Sequence, residues 1–286
     1  MQTVFTLLRK SVFLIFSALF ALSGSLSSPA GIKSGNLKPE GESGYLYSEG
    51  AAFCQGITTD GEFYYGTGCI KFLNYNAIVK IDMRSGEIVA RNDMCLPAEV
   101  ISKGYSHLGD CAYYDGRIYC ACEAFLFKNP AVMIFDAGTL EFIEYHILPE
   151  EGQGNGHFPW LCIKDNTVYY TQAREVNEIR MLNLDDFSYK GSIPIDREIT
   201  KITGGDILGG TLYLSSNDGE SGGEKITWSV NLETGETKEA FVRLTGNAAA
   251  EAEGLAISTD GGEPRFIYND VVFVSAVIIR TYSLSD

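Results

Sequence analysis

The feature that most constrains this chain is a two-residue turn signal that recurs five times along it. The signals are Asp60-Gly61, Asp115-Gly116, Asp165-Asn166, Gly209-Gly210 and Asp260-Gly261, at separations of 55, 50, 44 and 51 residues. Such pairs favour the primed turns of β-hairpins, because both central residues can adopt positive φ. Each signal is flanked by short segments rich in Tyr, Ile, Leu and Cys, which are typical of strands. The pattern therefore predicts five hairpins.

Each hairpin is followed by a third strand-like segment, and in the first four units that segment ends in a polar residue. These residues are Asp82, Asp136, Asn183 and Asn231, spaced by 54, 47 and 48 residues. A four-stranded unit repeated about every 50 residues is the signature of a β-propeller blade. The fifth unit stops after its third strand, and Tyr45-Leu46-Tyr47 is predicted to supply the missing one. We predict an all-β, five-bladed β-propeller over residues 45–286, with four antiparallel strands per blade and an N-terminal strand that closes the ring.

The N-terminus has the three-part layout of a secretory signal peptide. Arg9 and Lys10 precede an apolar run from Val12 to Leu22, and small residues follow. A run of about a dozen residues is short for a bilayer span, which needs roughly 20. We expect a signal peptide over residues 1–30, with an uncleaved anchor as the alternative, and a linker over residues 31–44. The mature protein is expected to be secreted, periplasmic or extracellular, without a stable membrane span.

Charge and composition narrow the class of partner. The formal net charge is −15, and the signal segment contributes two cations and no acid, so the rest of the chain is more acidic still. Binding of nucleic acid through phosphate contacts needs a basic face and is excluded. A hydrophobic content of 45% with 21% charged residues is typical of a globular domain. We expect a monomer that binds a small molecule, a peptide or a glycan.

Polar residues precede the turns at related distances. The first strand of each propeller blade lines the central channel, and one residue per blade stands an odd number of places before its turn: Gln55, Asp110, Trp160, Asp206 and Glu253. Because strand side chains alternate with a period of two, all five should face the same way. Oxygen donors from the four polar residues suit Ca²⁺, with Trp160 as an apolar wall. The alternative is a water-filled channel whose residues bond to neighbouring blades.

Two of the three histidines occupy equivalent places in the repeat. His107 and His157 each lie eight residues before a turn, so both should stand at the mouth of the channel. A histidine beside a metal-bound water can act as a general base. The alternative is that both are repeated loop residues that bond to the adjacent blade.

The chain contains seven cysteines, an odd number. If Asp115-Gly116 is a two-residue hairpin turn, counting outward places Cys111 opposite Cys120. A disulfide is possible in such a pair, and buried free thiols that pack as small hydrophobes are the alternative.

Blade one contains the run Phe53-Cys54-Gln55-Gly56-Ile57, followed by Tyr65-Gly66-Thr67-Gly68. These segments resemble plant-type glutaminyl cyclases, which are exported five-bladed propellers with a Phe-x-Gln-Gly opening strand. The resemblance implies ligand-binding roles for Phe53 and Gln55 and an aminoacyl-cyclising activity.

The segment Glu251-Ala252-Glu253-Gly254-Leu255-Ala256 resembles the Glu-Gly-Leu strand of gluconolactonase-like propellers. In those proteins a glutamate of this kind is a metal ligand, which implies that role for Glu253 here.

These observations favour an exported propeller with a polar, calcium-binding pocket that hydrolyses a lactone or an ester. Asp110, Asp206 and Glu253 are expected to hold the metal that polarises the carbonyl, with His107 or His157 as the base. Two other classes remain open: a non-catalytic binding platform and a glutaminyl-cyclase-like aminoacyltransferase.

Overall fold

A computed structural model describes residues 30–124, 126–221, 223–260, 262–272 and 275–285. The predicted signal peptide lies outside the described residues, apart from Ala30. Within them no helix is long and apolar enough to cross a membrane.

The chain begins with two strands that join blades from the end of the sequence, and then forms five blades in order. These two strands are β1 (Gly31–Ser34) and β2 (Leu37–Leu46). Blade one contains β3 (Gly56–Thr59), β4 (Phe63–Ile70), β5 (Tyr75–Asp82) and β6 (Ile88–Asp93). Blade two contains β7 (Tyr105–Tyr114), β8 (Arg117–Ala124), β9 (Lys128–Asp136) and β10 (Phe142–Ile147). Blade three contains β11 (Cys162–Lys164), β12 (Thr167–Tyr170), β13 (Val176–Asn183) and β14 (Tyr189–Ile199).

Blades four and five complete the series. Blade four contains β15 (Ile202–Leu208), β16 (Thr211–Ser216), β17 (Glu224–Asn231) and β18 (Thr237–Leu244). Blade five contains β19 (Ala250–Ser258), β20 (Arg265–Val272) and β21 (Ala276–Leu284), with β2 as its fourth strand. The described helices are short: α1 (Tyr47–Gly50), α2 (Ala98–Ser102), α3 (Glu150–Gln153), and two 3₁₀ turns at Ala51–Phe53 and Lys71–Leu73.

The first strands of the five blades form a closed ring. Strand β3 contacts β7, β7 contacts β11, β11 contacts β15, β15 contacts β19, and β19 returns to β3. Every sheet is antiparallel and keeps the sequence order of its blade. The prediction of a five-bladed β-propeller is confirmed.

The ring closes through the N-terminal strand, as predicted, but over a longer segment. Strand β2 pairs with β21 from Leu37 to Leu46, and Tyr45 lies opposite Val277. Tyr47, expected to end the strand, begins α1. The expectation of a linker over residues 31–44 is corrected, because this stretch forms β1 and most of β2. Its polar composition is that of a sheet edge: eight of the ten residues of β2 are exposed, and charged residues protect an edge from pairing with other chains.

Strand β1 adds a fifth strand to blade four. It pairs with β18, with Gly31 opposite Leu244. Lys33 on this strand forms ion pairs of 3.0 Å with both Glu220 and Glu224. The N-terminal segment therefore covers the outer edges of two consecutive blades.

The repeated turn signals form hairpins of two kinds. At three signals the flanking residues pair across two-residue turns: Tyr114 with Arg117, Lys164 with Thr167 and Leu208 with Thr211. In blades one and five the connection is longer, since Thr59 pairs with Tyr64 and Ser258 with Arg265. Asp115 and Gly116 both have positive φ, as the primed turn requires.

Three of the polar residues that end the third strands bind the next turn. The side-chain oxygens of Asp82, Asp136 and Asn231 each accept hydrogen bonds from the amides two and three residues further on. A short side-chain acceptor at this place imitates a backbone turn. The repetition of Asp or Asn thus reflects the geometry of the connection between strands three and four.

The hydrophobic core is divided among the blade interfaces. Five clusters of buried apolar side chains fill the spaces between neighbouring blades, with Ile57, Leu108, Leu161, Leu214 and Leu255 among their members. Because the apolar side chains pack between the blades, polar side chains of the first strands can face the central channel.

The predicted pairing of Cys111 with Cys120 across the β7–β8 hairpin is confirmed. All seven cysteines are buried free thiols in the structure. They pack as small hydrophobes, and Cys111 and Cys120 belong to the cluster between blades one and two.

Candidate functional site

All five blades contribute to a cavity of about 440 Å³ at one end of the channel. Its residues come from the segments that enter the first strands and from the turns between second and third strands. The polar and aromatic ones that matter below are Gln55, Lys71, His107, Phe127, His157, Glu251 and Glu253. The repeat thus brings Gln55, His107, His157 and Glu253 to one place.

Two histidines that line this cavity, His107 and His157, form a group of potential metal ligands with a buried glutamate, Glu123. Nδ1 of His107 lies 3.1 Å from Oε2 of Glu123, and Nε2 of His157 lies 3.6 Å from Oε1 of the same carboxylate. Their ligand atoms all fall within 4.8 Å of one another, and no second group of three His, Cys, Asp or Glu residues does so in the described part of the chain. The carboxylate of Glu123 is therefore the centre of the group.

Strand pairing puts this group together. His107 on β7 lies directly opposite Glu123 on β8, next to an irregularity in the ladder. Glu123 is fully buried, and its Oε1 accepts the backbone N–H of Phe158, which follows His157 in the loop that enters blade three. The glutamate thus anchors this loop as well as facing both imidazoles. Burial lowers the pKa of His157, although the charge of Glu123 opposes the shift.

The orientation of His107 is fixed from its other side. Nε2 of Gln55 donates to the carbonyl oxygen of Cys54 at 3.1 Å, which leaves Oε1 of Gln55 to accept from Nε2–H of His107 at 2.7 Å. In this tautomer Nδ1 carries a lone pair, and it faces the oxygens of Glu123. Electron-rich atoms at 3.1 Å need a cation between them, either a proton or a metal ion.

Glu123 was not singled out in the sequence, although a signal for it exists. It is the lone acid in the apolar segment Ile118–Ala124, where an alternating strand would place another small or apolar residue. A buried carboxylate without a partner is costly, so an acid in such a strand points to a partner supplied by the fold.

Asp110 lies deeper in the channel, where its carboxylate joins three blades. Oδ1 accepts from the backbone N–H of Ile57 at 2.8 Å and of Cys111 at 2.9 Å, and Oδ2 accepts from Leu255 at 3.4 Å. A Cβ on Gly56 or Gly204 would collide with this side chain. Burial raises the pKa of Asp110 well above its ordinary value.

Asp206 has the same kind of environment between blades four and five. Its carboxylate accepts from the backbone N–H of Ile207 at 2.7 Å and of Ile257 at 2.6 Å. Burial raises the pKa of this carboxyl to about 6.

Glu253 does line the cavity. It is the extra residue of a bulge in β19, between Ala252 and Gly254, and its carboxyl group is hydrogen-bonded to that of Glu251. Burial, followed by the charge of Glu251, raises the pKa of Glu253 well above its ordinary value.

The three carboxylates expected to hold Ca²⁺ are therefore not brought together. Backbone N–H groups satisfy Asp110 and Asp206 inside the channel, and only Glu253 reaches the cavity. For Asp110 and Glu253 the physical reason is the bulges in β7 and β19, which shift the side-chain phase that counting from the turns assumes. Asp206 lies in a regular part of its hairpin, opposite Tyr213, and its carboxylate accepts the backbone N–H groups of Ile207 and Ile257.

Trp160 and Phe53 belong to the packed interior. Trp160 is fully buried among the apolar residues between blades three and four, and its Nε1 donates to Oγ1 of Thr171 at 3.0 Å. Phe53 is buried between blades one and five, with the ring of Tyr45 against it at 4.9 Å. Neither side chain is among those that line the cavity.

The chain shares this architecture with enzymes of known structure. No protein-family model and no curated protein matches its sequence. Glutaminyl cyclase from Myxococcus xanthus superimposes with a TM-score of 0.61 at 12% identity, over 87% of this chain and 97% of that one. The likeness is one of fold.

Two further structures show the same likeness. A β-xylosidase has a TM-score of 0.55 at 11% identity, over 84% of this chain and 94% of that one. A luciferin-regenerating enzyme has a TM-score of 0.50 at 9% identity, over 86% and 98% of the two chains. At such identities the comparison supports the propeller and leaves the chemistry to the side chains of the cavity.

Proposed function

We propose that the protein is an exported, metal-dependent hydrolase that opens a small lactone or ester in the cavity at the mouth of the channel. The observation that carries this proposal is the convergence of His107, Glu123 and His157 within 4.8 Å at the cavity wall. The fold likeness to several enzymes is compatible with it.

The donor set fits a transition metal ion rather than Ca²⁺. Two imidazole nitrogens and one carboxylate with an open fourth position are the ligands of many catalytic zinc sites, whereas Ca²⁺ takes six to eight oxygens. Gln55 supports this assignment, because a metal-binding histidine usually donates its other N–H to an outer partner. Nδ1 of His107 and Oε2 of Glu123 face each other at 3.1 Å, an arrangement that a bound metal ion would stabilise.

When bound, such an ion supplies a Lewis acid for the carbonyl group of the substrate. The protein's own residues hold and orient the side chains that would bind the ion. Gln55 holds the ring of His107, and the Phe158 amide holds Glu123. Glu253, which shares a hydrogen bond with Glu251, faces the same cavity. Burial, followed by the charge of Glu251, raises its pKa well above the ordinary value, so this carboxyl group holds a proton more tightly than an exposed glutamate does and is suited to donate one to the substrate.

Metal content and hydrolysis test this proposal together. The purified protein, dialysed against zinc, should bind one equivalent and hydrolyse members of a panel of simple lactones and aryl esters. Glu123→Gln should lower zinc affinity and hydrolysis by about 100-fold or more, as expected for loss of a group that holds the metal or its ligands. Glu144→Gln is the matched control, because Glu144 pairs with His146 at 3.5 Å on the surface. Absence of stoichiometric metal in the wild-type protein, or equal losses in both variants, would contradict the proposal.

Cyclisation of N-terminal glutamine is a second candidate, favoured by the presence of Gln55 in the cavity and by the fold likeness to a glutaminyl cyclase. Release of ammonia from a glutaminyl dipeptide measures it directly. If that release is metal-independent and lactones are inert, this candidate replaces the first.

A further inference from the structure

The turn between β8 and β9 holds an unusual backbone at the rim of the cavity. Leu126 and Phe127 have φ values of 61° and 57°, and Asn129 follows at 49°. Bulky residues rarely adopt the left-handed region, because Cβ then approaches the backbone too closely. Such strain persists only where the surroundings determine it, and it concentrates at functional sites.

The neighbouring loop holds this turn in place. Gly156, with a φ of 86°, lies against the carbonyl oxygen of Phe127, and a Cβ at that position would collide with it. Ala124 pairs with Lys128 across the base of the turn. The turn is thus wedged between its own hairpin and the loop that carries His157.

The result is a large apolar surface left open beside the histidines. The ring of Phe127 lies 4.3 Å from that of His157 and 6.4 Å from that of His107, between ring centres. Phe127 lines the cavity, yet it is 42% exposed, and Leu126 next to it is 66% exposed. Nζ of Lys71 stands 5.0 Å from the centre of the Phe127 ring.

We infer that Phe127 and Leu126 bind an apolar substituent of the substrate next to the reacting carbonyl. Covering an exposed apolar side chain with a ligand is favourable, and here Phe127 lines the cavity beside His107 and His157, with Leu126 next to it in the chain. The substrate class is therefore a lactone or ester that carries an alkyl chain or a similar apolar group, in contrast to a polyhydroxylated sugar lactone. This inference rests on the proposed function for the reaction and adds the determinant of specificity.

Three δ-lactones test it: δ-decalactone with a pentyl chain, unsubstituted δ-valerolactone, and glucono-δ-lactone. The wild-type enzyme should prefer δ-decalactone. Phe127→Ala should raise KM for δ-decalactone about tenfold, the loss expected when one or two methylene groups lose their apolar contact. The ratio of kcat/KM for δ-decalactone to kcat/KM for δ-valerolactone should fall by a similar factor, because δ-valerolactone has no pentyl chain whose contact could be lost. Phe127→Leu should retain most of the preference, and Ile147→Ala is the control, since Ile147 is exposed on the outer strand of blade two.

A binding measurement separates this inference from the reaction itself. The lactams that correspond to δ-decalactone and δ-valerolactone have the same shapes and resist hydrolysis. Titration calorimetry should show about tenfold tighter binding of the pentyl lactam by the wild-type protein, and a loss of that difference in Phe127→Ala. Equal affinities, or no binding of either lactam, would overturn the inference. If no lactone is hydrolysed but the lactam difference is found, the proposed reaction fails while the apolar subsite stands.

Discussion

Carboxylates at the head of the inner strands serve two purposes in this ring. Asp110 and Asp206 accept backbone N–H groups from neighbouring inner strands and so join blades. Glu253 instead reaches the cavity beside a second acid. The two carboxylates inside the channel accept from backbone amides, whereas Glu253 lines the cavity.

The first prediction concerns the pH dependence of stability at Asp206. Burial raises the pKa of this carboxyl to about 6 in the folded protein, above the ordinary value of about 3.9 in an unfolded chain. The folded state therefore binds this proton more tightly than the unfolded state does. Protonation of Asp206 stabilises the folded protein fully below about pH 4, and this stabilisation is lost as the pH rises through 6. Relative to Asp206→Asn, the wild-type protein should lose up to about 3 kcal/mol of unfolding free energy between pH 4 and 7, measured by urea denaturation.

Asp82→Asn is the opposing control. Asp82 is exposed, and the backbone amide of Ser85 lowers the pKa of its carboxyl. The contribution of Asp82 to stability is present above its unfolded pKa and is lost as the pH falls. The two variants should therefore change the pH dependence of the free energy of unfolding in opposite directions. Parallel profiles for both would show that burial does not control Asp206.

Part of the site could be predicted from the sequence, through the position of each residue within its repeat unit. His107, His157 and Gln55 reach one cavity because equivalent places in a repeat occupy equivalent places in a ring; their roles remain predictions. Glu123 could not be found by that route, because it lies on a second strand and its equivalents in other blades differ. Asp110 and Asp206 were assigned to a metal because a count of residues does not reveal bulges or backbone donors.

Among the elements, β1 and β2 differ in what they cover. Strand β1 adds to the outside of a blade that already has four strands, whereas β2 completes blade five. Val277 and Ile279, on the strand that β2 pairs with, are buried. Loss of the two strands should therefore have unequal effects.

Two nested deletions test this difference. Removal of residues 30–35 should lower Tm by only a few degrees, because it deletes three paired residues and the exposed ion pairs of Lys33. Removal of residues 30–46 should lower Tm by about 10 °C or more, since an estimated 3–5 kcal/mol is lost at roughly 2–4 °C per kcal/mol for a domain of this size. Both are measured by thermal circular dichroism. Equal shifts would show that β2 contributes no more than β1.

The hairpins were more predictable than the N-terminal strands, for reasons that particular residues show. Asp115-Gly116 specifies its turn locally, through backbone conformations that few other pairs allow. Glu40 and Glu42, by contrast, lie in a strand that is stable only because β21 is present beside it. Charged residues of this kind are typical both of an exposed edge strand and of a linker, so composition alone could not distinguish the two.

Across the whole molecule, the seam between blades four and five contains its main buried ion cluster. Arg243 binds Asp270 through two hydrogen bonds of 2.9 and 3.1 Å, and Arg280 binds the same carboxylate at 2.5 Å. The guanidinium of Arg243 also lies 3.6 Å from the centre of the Tyr268 ring. Burial alone would raise the pKa of Asp270, but Arg243 and Arg280 outweigh it and the pKa is lowered.

Removal of the central anion should open this seam. Asp270→Asn leaves the buried guanidinium of Arg243 without its counter-charge and that of Arg280 with the exposed Glu42, which costs about 3–5 kcal/mol and should lower Tm by roughly 10 °C. Glu42→Gln is the matched control, because Glu42 pairs with Arg280 but is largely exposed, so its loss should cost less than about 1 kcal/mol. Addition of Arg243→Met to Asp270→Asn should restore part of the stability. A Tm unchanged by Asp270→Asn would mean that water replaces the carboxylate.

The pairing of Leu37 with Leu284 has a consequence for how the protein is made. The first strand of this pair leaves the ribosome roughly 10 to 50 seconds before its partner, at ordinary rates of chain elongation. During that time β2 has no partner strand, and Glu40 and Glu42 discourage it from pairing with the edge of another sheet. The ring can therefore close only after β21 has been synthesised, and until then the chain stays open at the seam between blades five and one.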